Sequence, residues 1–366
     1  MALNTLPNAG LTNRGYPSDR ITTPIIINGD MSVAQRATSV TGVGDGDTGY
    51  HTLDRWRFSE GGDNSTVFTM SQDTNVPTGQ GFAKSLKMDV TTADGSPGSG
   101  DAMFLQQRFE GQNLQLLKKG TSSAEKITVS FWVSSSKTGT YILELQDSDN
   151  TRNCSQSYTI SSADTWEKKV VVFPADTTGA IDNDNANSFE VNWWLLAGTD
   201  FTSGTLATSF ASRTNANRAV GQVNVGDNTS NNFYMTGCQL EVGEFDSTSV
   251  PAFPFESHIS NLLKCKRYFW QDNHLWGSVA SSTEVHVRGT HPVELRAEPS
   301  VSVSGAITIW QLSVAGSKTQ SSANVSFDNQ INNEQFFTVA LANFSSLTQH
   351  YPIAVNSGYV LFDAEL

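Results

Sequence analysis

The feature that most constrains this chain is a recurring alternation of period two. Ile127, Val129, Phe131 and Val133 alternate with Thr128, Ser130 and Trp132. Tyr141, Leu143 and Leu145 alternate with Ile142, Glu144 and Gln146, and Phe189, Val191, Trp193 and Leu195 alternate with Glu190, Asn192, Trp194 and Leu196. Successive side chains of a strand point to opposite faces, so such segments each bury one face. Trp166 to Pro174 reads as a further strand stopped by its proline, and Ile25-Ile26-Ile27-Asn28-Gly29-Asp30 as a short apolar strand ending in a turn. Many short strands separated by polar turns predict an all-β chain built on a two-sheet sandwich.

Composition supports this reading. The 366 residues include 43 Ser, 37 Thr, 27 Asn and 29 Gly but only 16% charged residues, so helical bundles and coiled coils are excluded. The net charge of −13 argues against nucleic acid, since no Lys/Arg stripe offsets it; the densest basic spot is Lys264-Cys265-Lys266-Arg267. No apolar run approaches the roughly 20 residues of a membrane span, and Met1-Ala2-Leu3-Asn4-Thr5 does not open a signal peptide. Cys154, Cys238 and Cys265 are widely spaced and odd in number, which predicts reduced thiols.

The order of segments predicts four regions. Residues 1–24 read as an extended arm, 25–250 as a jelly-roll sandwich, 251–267 as a linker and short helix, and 268–366 as a smaller β domain. The break is placed at Val250-Pro251-Ala252-Phe253-Pro254-Phe255. Beyond it Ile259, Leu262, Leu263 and Phe269 fall at helical spacing behind Ser257 or Ser260 as N-cap. Strands are expected at 285–287, 301–303, 307–310, 335–341 and 359–362.

Catalytic constellations are not written in the chain. The six histidines show no zinc-binding spacing, and neither a nucleophile elbow nor a phosphate loop occurs. Glu144 and Glu190 could imitate the paired carboxylates of a glycosidase, but 36 acidic residues produce such pairs by chance. Asp45-Gly46-Asp47 and Asp182-Asn183-Asp184-Asn185 offer hard oxygens, so no cofactor is expected beyond an optional structural Ca²⁺. If Phe131, Leu143 and Val191 point inward, Trp132, Glu144, Gln146, Glu190, Asn192 and Trp194 point outward. Indoles flanked by polar groups suit sugar recognition, and these six are the candidate carbohydrate-binding residues. The competing expectation is that the indoles pack under a loop or a neighbouring subunit.

Several stretches resemble a known family. Ile25 to Arg36 followed by Tyr50-His51-Thr52-Leu53-Asp54-Arg55-Trp56 is similar to the opening of jelly-roll modules in tailed-bacteriophage virion proteins. Ile127 to Ser136 and Thr165 to Pro174 resemble central strands of that carbohydrate-binding-module-like sandwich. Gln239-Leu240-Glu241-Val242-Gly243, Phe253 to Glu256 and Cys265-Lys266-Arg267-Tyr268-Phe269 resemble its close, and Pro292 to Pro299 resembles a stretch of the C-terminal unit that follows. The resemblance implies a non-enzymatic virion fibre subunit, homotrimeric, that attaches to a host-surface glycan. It implies docking on other virion proteins, of tail or capsid, through the N-terminal arm. A capsid-bound head fibre or decoration protein and a polysaccharide depolymerase are the alternatives, the latter disfavoured because no repeat announces a β-helix. Asp54-Arg55-Trp56 reads as a structural corner, an ion pair beside a buried ring. Phe269, Trp270, Trp276 and Trp310 read as exposed rings that meet across the three-fold axis; the competing expectation is that they fill the small domain's own core.

Overall fold

The computed structural model describes residues 24–312, 317–320, 325–327 and 333–366; the proposed arm, residues 1–24, lies almost wholly outside them. The chain is all-β. Its first part comprises β1 (Ser39–Gly44), β2 (Arg57–Gly61), β3 (Val67–Asp73), β4 (Ser85–Thr92), β5 (Ala102–Glu110), β6 (Ile127–Ser135) and six later strands. These are β7 (Gly139–Asp147), β8 (Arg152–Ile160), β9 (Glu167–Phe173), β10 (Asn187–Ala197), β11 (Ala211–Ser212) and β12 (Asn232–Val242). Sheet one runs β1-β3-β4-β12-β6-β9 and sheet two runs β11-β8-β7-β10-β5-β2, each strand antiparallel to its neighbours. Consecutive strands repeatedly change sheet, which gives the sandwich its jelly-roll character.

The alternation in the sequence is what closes this sandwich. Phe131, Val133, Leu143, Leu145, Val191 and Trp193 all point between the sheets and are fully buried. Trp193 lies 5.3 Å from Trp56 and 5.8 Å from Phe131 between ring centroids. Aromatic pairs at such distances add about 0.5–1.5 kcal/mol each to simple burial.

The expected strand at Ile25–Asp30 is instead a sequence of turns. Asn28 adopts a left-handed φ of 57°, and its side chain works harder than a strand residue could. Its Nδ2 donates to the carbonyls of Val33 (2.8 Å) and Asp54 (2.9 Å), and its Oδ1 accepts from Val33 N (2.9 Å). Its carbonyl accepts the Trp56 indole N–H at 2.9 Å. Asx side chains tolerate this conformation because they replace the lost backbone bonds. The Asp54-Arg55-Trp56 corner is buried as expected, but the ion pair is not internal to it. Asp54 is held by Gln35, with Arg36 at 4.0 Å, while Arg55 pairs with Glu365.

Ser257 caps the helix α2 (His258–Lys266), accepting from Ser260 N. Its buried residues are Asn261 and Cys265; Ile259 and Leu263, which suggested the helix, face solvent. Beyond it lie β13 (Phe269–Asp272), β14 (Trp276–Ser281), β15 (Glu284–Thr290), β16 (Ser300–Gln311), β17 (Ser317–Gln320), β18 (Val325–Phe327), β19 (Phe336–Leu341) and β20 (Pro352–Asp363). They form an eight-stranded antiparallel sheet, in which the expected strands at 301–303 and 307–310 are one strand with an irregular register near its middle. Phe269 and Trp270 are buried and follow the competing expectation of core filling rather than that of exposure, because Trp270 stacks on Phe362 at 4.6 Å within the core of this sheet. Trp276 and Trp310 are exposed.

Candidate functional site

Strand register brings five of the six candidate residues to one face. Glu144 pairs with Asn192 and Gln146 with Glu190 across β7 and β10, so both pairs and Trp194 share the outer face of sheet two. The parity holds, but the face is closed, and Trp194 follows the competing expectation of an indole packed under a loop. The segment 198–223, which includes the single-turn helix α1 (Thr199–Thr202), folds over this face. Trp194 is fully buried against Phe104 (5.0 Å) and Phe201 (5.5 Å), and Glu144 and Asn192 are equally inaccessible. Gln146 and Glu190 are buried too.

The charge that makes this closure tolerable comes from Arg218, which no periodic pattern marks. It grips Glu144 with two hydrogen bonds, Nε to Oε1 at 2.7 Å and Nη2 to Oε2 at 2.9 Å. Burial opposes its charge, yet Glu144 and then Glu190 hold its pKa above the ordinary arginine value. Glu144 also accepts from Trp194 Nε1 (3.1 Å), Asn192 Nδ2 (3.2 Å) and Asn153 Nδ2 (3.2 Å). Glu190 accepts from Gln106, Gln146 and Asn187 at 2.6–3.0 Å. Both carboxylates are engaged in a buried hydrogen-bond network.

Trp132 stands apart from the other five. It lies on β6 in sheet one, opposite Lys168 of β9 and Thr236 of β12, on the other side of the sandwich. There it lines an open groove of about 300 Å³ with Gln80, Lys168, Gln239 and the rings of Phe82, Phe253 and Phe255. The three phenylalanines pack at centroid distances of 5.0–5.1 Å, and Phe255 is 53% exposed. A bulge at Gly237, where φ is +63°, lets Phe82 approach; a Cβ there would lie 2.5 Å from its ring. Gln239 Nε2 donates to Ser130 Oγ (3.0 Å) and the Pro251 carbonyl (2.9 Å). Its Oε1 is buried with no partner among the described residues. An unmet buried acceptor costs about 1–3 kcal/mol.

The two Asp-rich loops form turns, and among the described residues no three His, Cys, Asp or Glu side chains gather as a metal would require. Cys154, Cys238 and Cys265 are buried and unpaired; burial pushes the Cys154 thiol up to about 12.

No protein-family model matches the chain, and no curated protein matches it in sequence. Solved structures give distant likenesses. A putative sugar binding protein from Bacteroides thetaiotaomicron shares 12% identity over 60% of this chain and 100% of its own, with a TM-score of 0.30. The family 11 carbohydrate-binding module of the cellulase Lic26A-Cel5E of Clostridium thermocellum shares 10% over 58% and 98%, with a TM-score of 0.28. The enzymatically active domain of tailspike protein 4 of bacteriophage CBA120 shares 16% over 51% of this chain, with a TM-score of 0.28. The match spans only 19% of that tailspike domain.

Proposed function

We propose that this chain is a non-enzymatic fibre subunit of a tailed-bacteriophage virion, and that it holds a host-surface glycan in the sheet-one groove. The observation that carries the glycan reading is the groove itself. Trp132 and Phe255 offer apolar faces to sugar C–H groups, while Gln80 and Lys168 line the same 300 Å³ to meet hydroxyls. The non-enzymatic reading rests on the burial of Glu144 and Glu190 beneath the covering segment, Glu144 held by Arg218 and Glu190 by three side-chain amides. The virion reading rests on the ordered resemblance of residues 25 to about 300, and it carries with it a homotrimer and an anchoring arm at residues 1–24.

Trp132→Ala tests the site. It removes an outward-facing ring and leaves the core intact, so thermal stability should hold while binding to host cells or to a glycan array falls about tenfold. Undiminished binding would exclude the groove. Light scattering of the full chain at three times its own mass is the expected result for the trimer; a monomer mass excludes it.

A further inference from the structure

We propose that the outer face of the C-terminal sheet carries a second binding site, for a glycan bearing carboxylate groups. The inference is independent of the sheet-one groove.

Four residues form a row across four strands. Ala354 of β20 pairs with Trp310 of β16 on one side and Trp276 of β14 on the other. Gly277 pairs with Val287, which sets Trp276 opposite Arg288 of β15 on the same face. Trp276 is 62% and Trp310 51% exposed, unusual for indoles. They are separated by two strand spacings, about 10 Å, with only the Ala354 methyl between them. Two flat apolar surfaces at that separation suit alternate rings of an extended oligosaccharide.

The chemistry beside the row selects the ligand. Trp276 and Arg288 border a cavity of about 400 Å³ that also receives Lys266, Asp272, His274 and Thr290. Asp272 is engaged in its own turn, accepting from His274 N at 2.8 Å with His274 Nδ1 at 3.6 Å. Neither Lys266 nor Arg288 makes an ion pair among the described residues. Two unpaired cations beside one cavity stand out in a chain with a net charge of −13. A guanidinium presents a planar fork that matches a carboxylate in two hydrogen bonds. A wholly apolar protein partner would desolvate both cations without compensation, whereas an acidic sugar supplies the ring face and the anion together.

The test is calorimetric titration of the full chain with a short oligogalacturonate and with a neutral galacto-oligosaccharide of equal length. The acidic oligosaccharide should bind more tightly. Trp276→Ala and Trp310→Ala should each weaken it about tenfold, and Arg288→Ala should reduce it to the level of the neutral one. All three C-terminal residues are exposed, so the variants should retain the wild-type circular dichroism spectrum. The proposal is overturned if the acidic oligosaccharide does not bind, or if it binds equally well to the Trp276 and Arg288 variants. It is also overturned if light scattering shows these variants dissolving an oligomer, which would make the face a contact between copies.

Discussion

Glu144 shows how one residue can satisfy the sequence pattern of a binding face and serve another end. It sits where parity places it, but Arg218 reaches across from a loop 74 residues away and neutralises it in a dry site. A buried ion pair is costly to break from one side, because the survivor keeps its charge without compensation. Glu144→Ala should therefore lower stability by roughly 3–5 kcal/mol, measured by denaturant unfolding, while Glu144→Ala with Arg218→Leu recovers part of that loss. Equal instability of the single and double variants would show that the pair does not act as a unit.

At the level of elements, the C-terminal sheet is closed by an aromatic layer with a histidine inside it. His291 accepts the Trp270 indole N–H through Nδ1 at 3.0 Å and lies 5.2 Å from both Phe337 and Phe362. Burial lowers its pKa to about 4. An unfolded histidine takes its proton near 6.5, so between pH 6.5 and 4 the unfolded chain binds more protons and stability declines as pH falls. Below about 4 this contribution is fully spent. The sign is opposite for Asp54, which burial raises to about 6: its contribution is present at low pH and is lost as pH rises from about 4 to 6. The imidazole resonance of His291 should titrate near 4 in the folded protein; a midpoint near 6.5 would mean that the layer is open to water.

In the whole molecule the sandwich and the C-terminal sheet are tied by buried charges. Arg55, 1% exposed, pairs with Glu365, lies 3.5 Å over the Tyr268 ring and donates to the Arg108 carbonyl at 2.6 Å. Glu110 takes two bonds of 2.8 Å from Arg267 and one of 2.6 Å from the Tyr268 hydroxyl. Burial alone would raise the Glu110 pKa, but these donors bring it below the usual carboxylate value. Arg36 adds a bond of 3.0 Å to Asp363 and covers the Phe269 ring at 3.6 Å. Glu365→Ala leaves Arg55 buried and unpaired, so a loss of roughly 3–5 kcal/mol is expected. Calorimetry should show a single melting transition splitting into two as the C-terminal unit uncouples. An unaltered thermogram would mean that the two units are joined by other contacts.

The all-β class, the strand segments at 127–133, 141–146 and 189–196, and the shared face of Glu144, Gln146, Glu190, Asn192 and Trp194 were legible in the sequence. Each follows from a local rule: side chains alternate along a strand, and the apolar set must be buried. Which outer face stays open was decided only by tertiary structure. Nothing periodic in residues 198–223 announces that they cover sheet two, and Arg218 becomes a counter-ion only once the chain has returned over β7. The sheet-one groove was hidden for the same reason. Trp132 is contributed by a strand, but Phe253 and Phe255 come from a proline-broken segment that reads as a linker, and Phe82 from a loop. Period two specifies the two faces of a strand; what lies against each is set by contacts between residues remote in the chain, which no local pattern encodes.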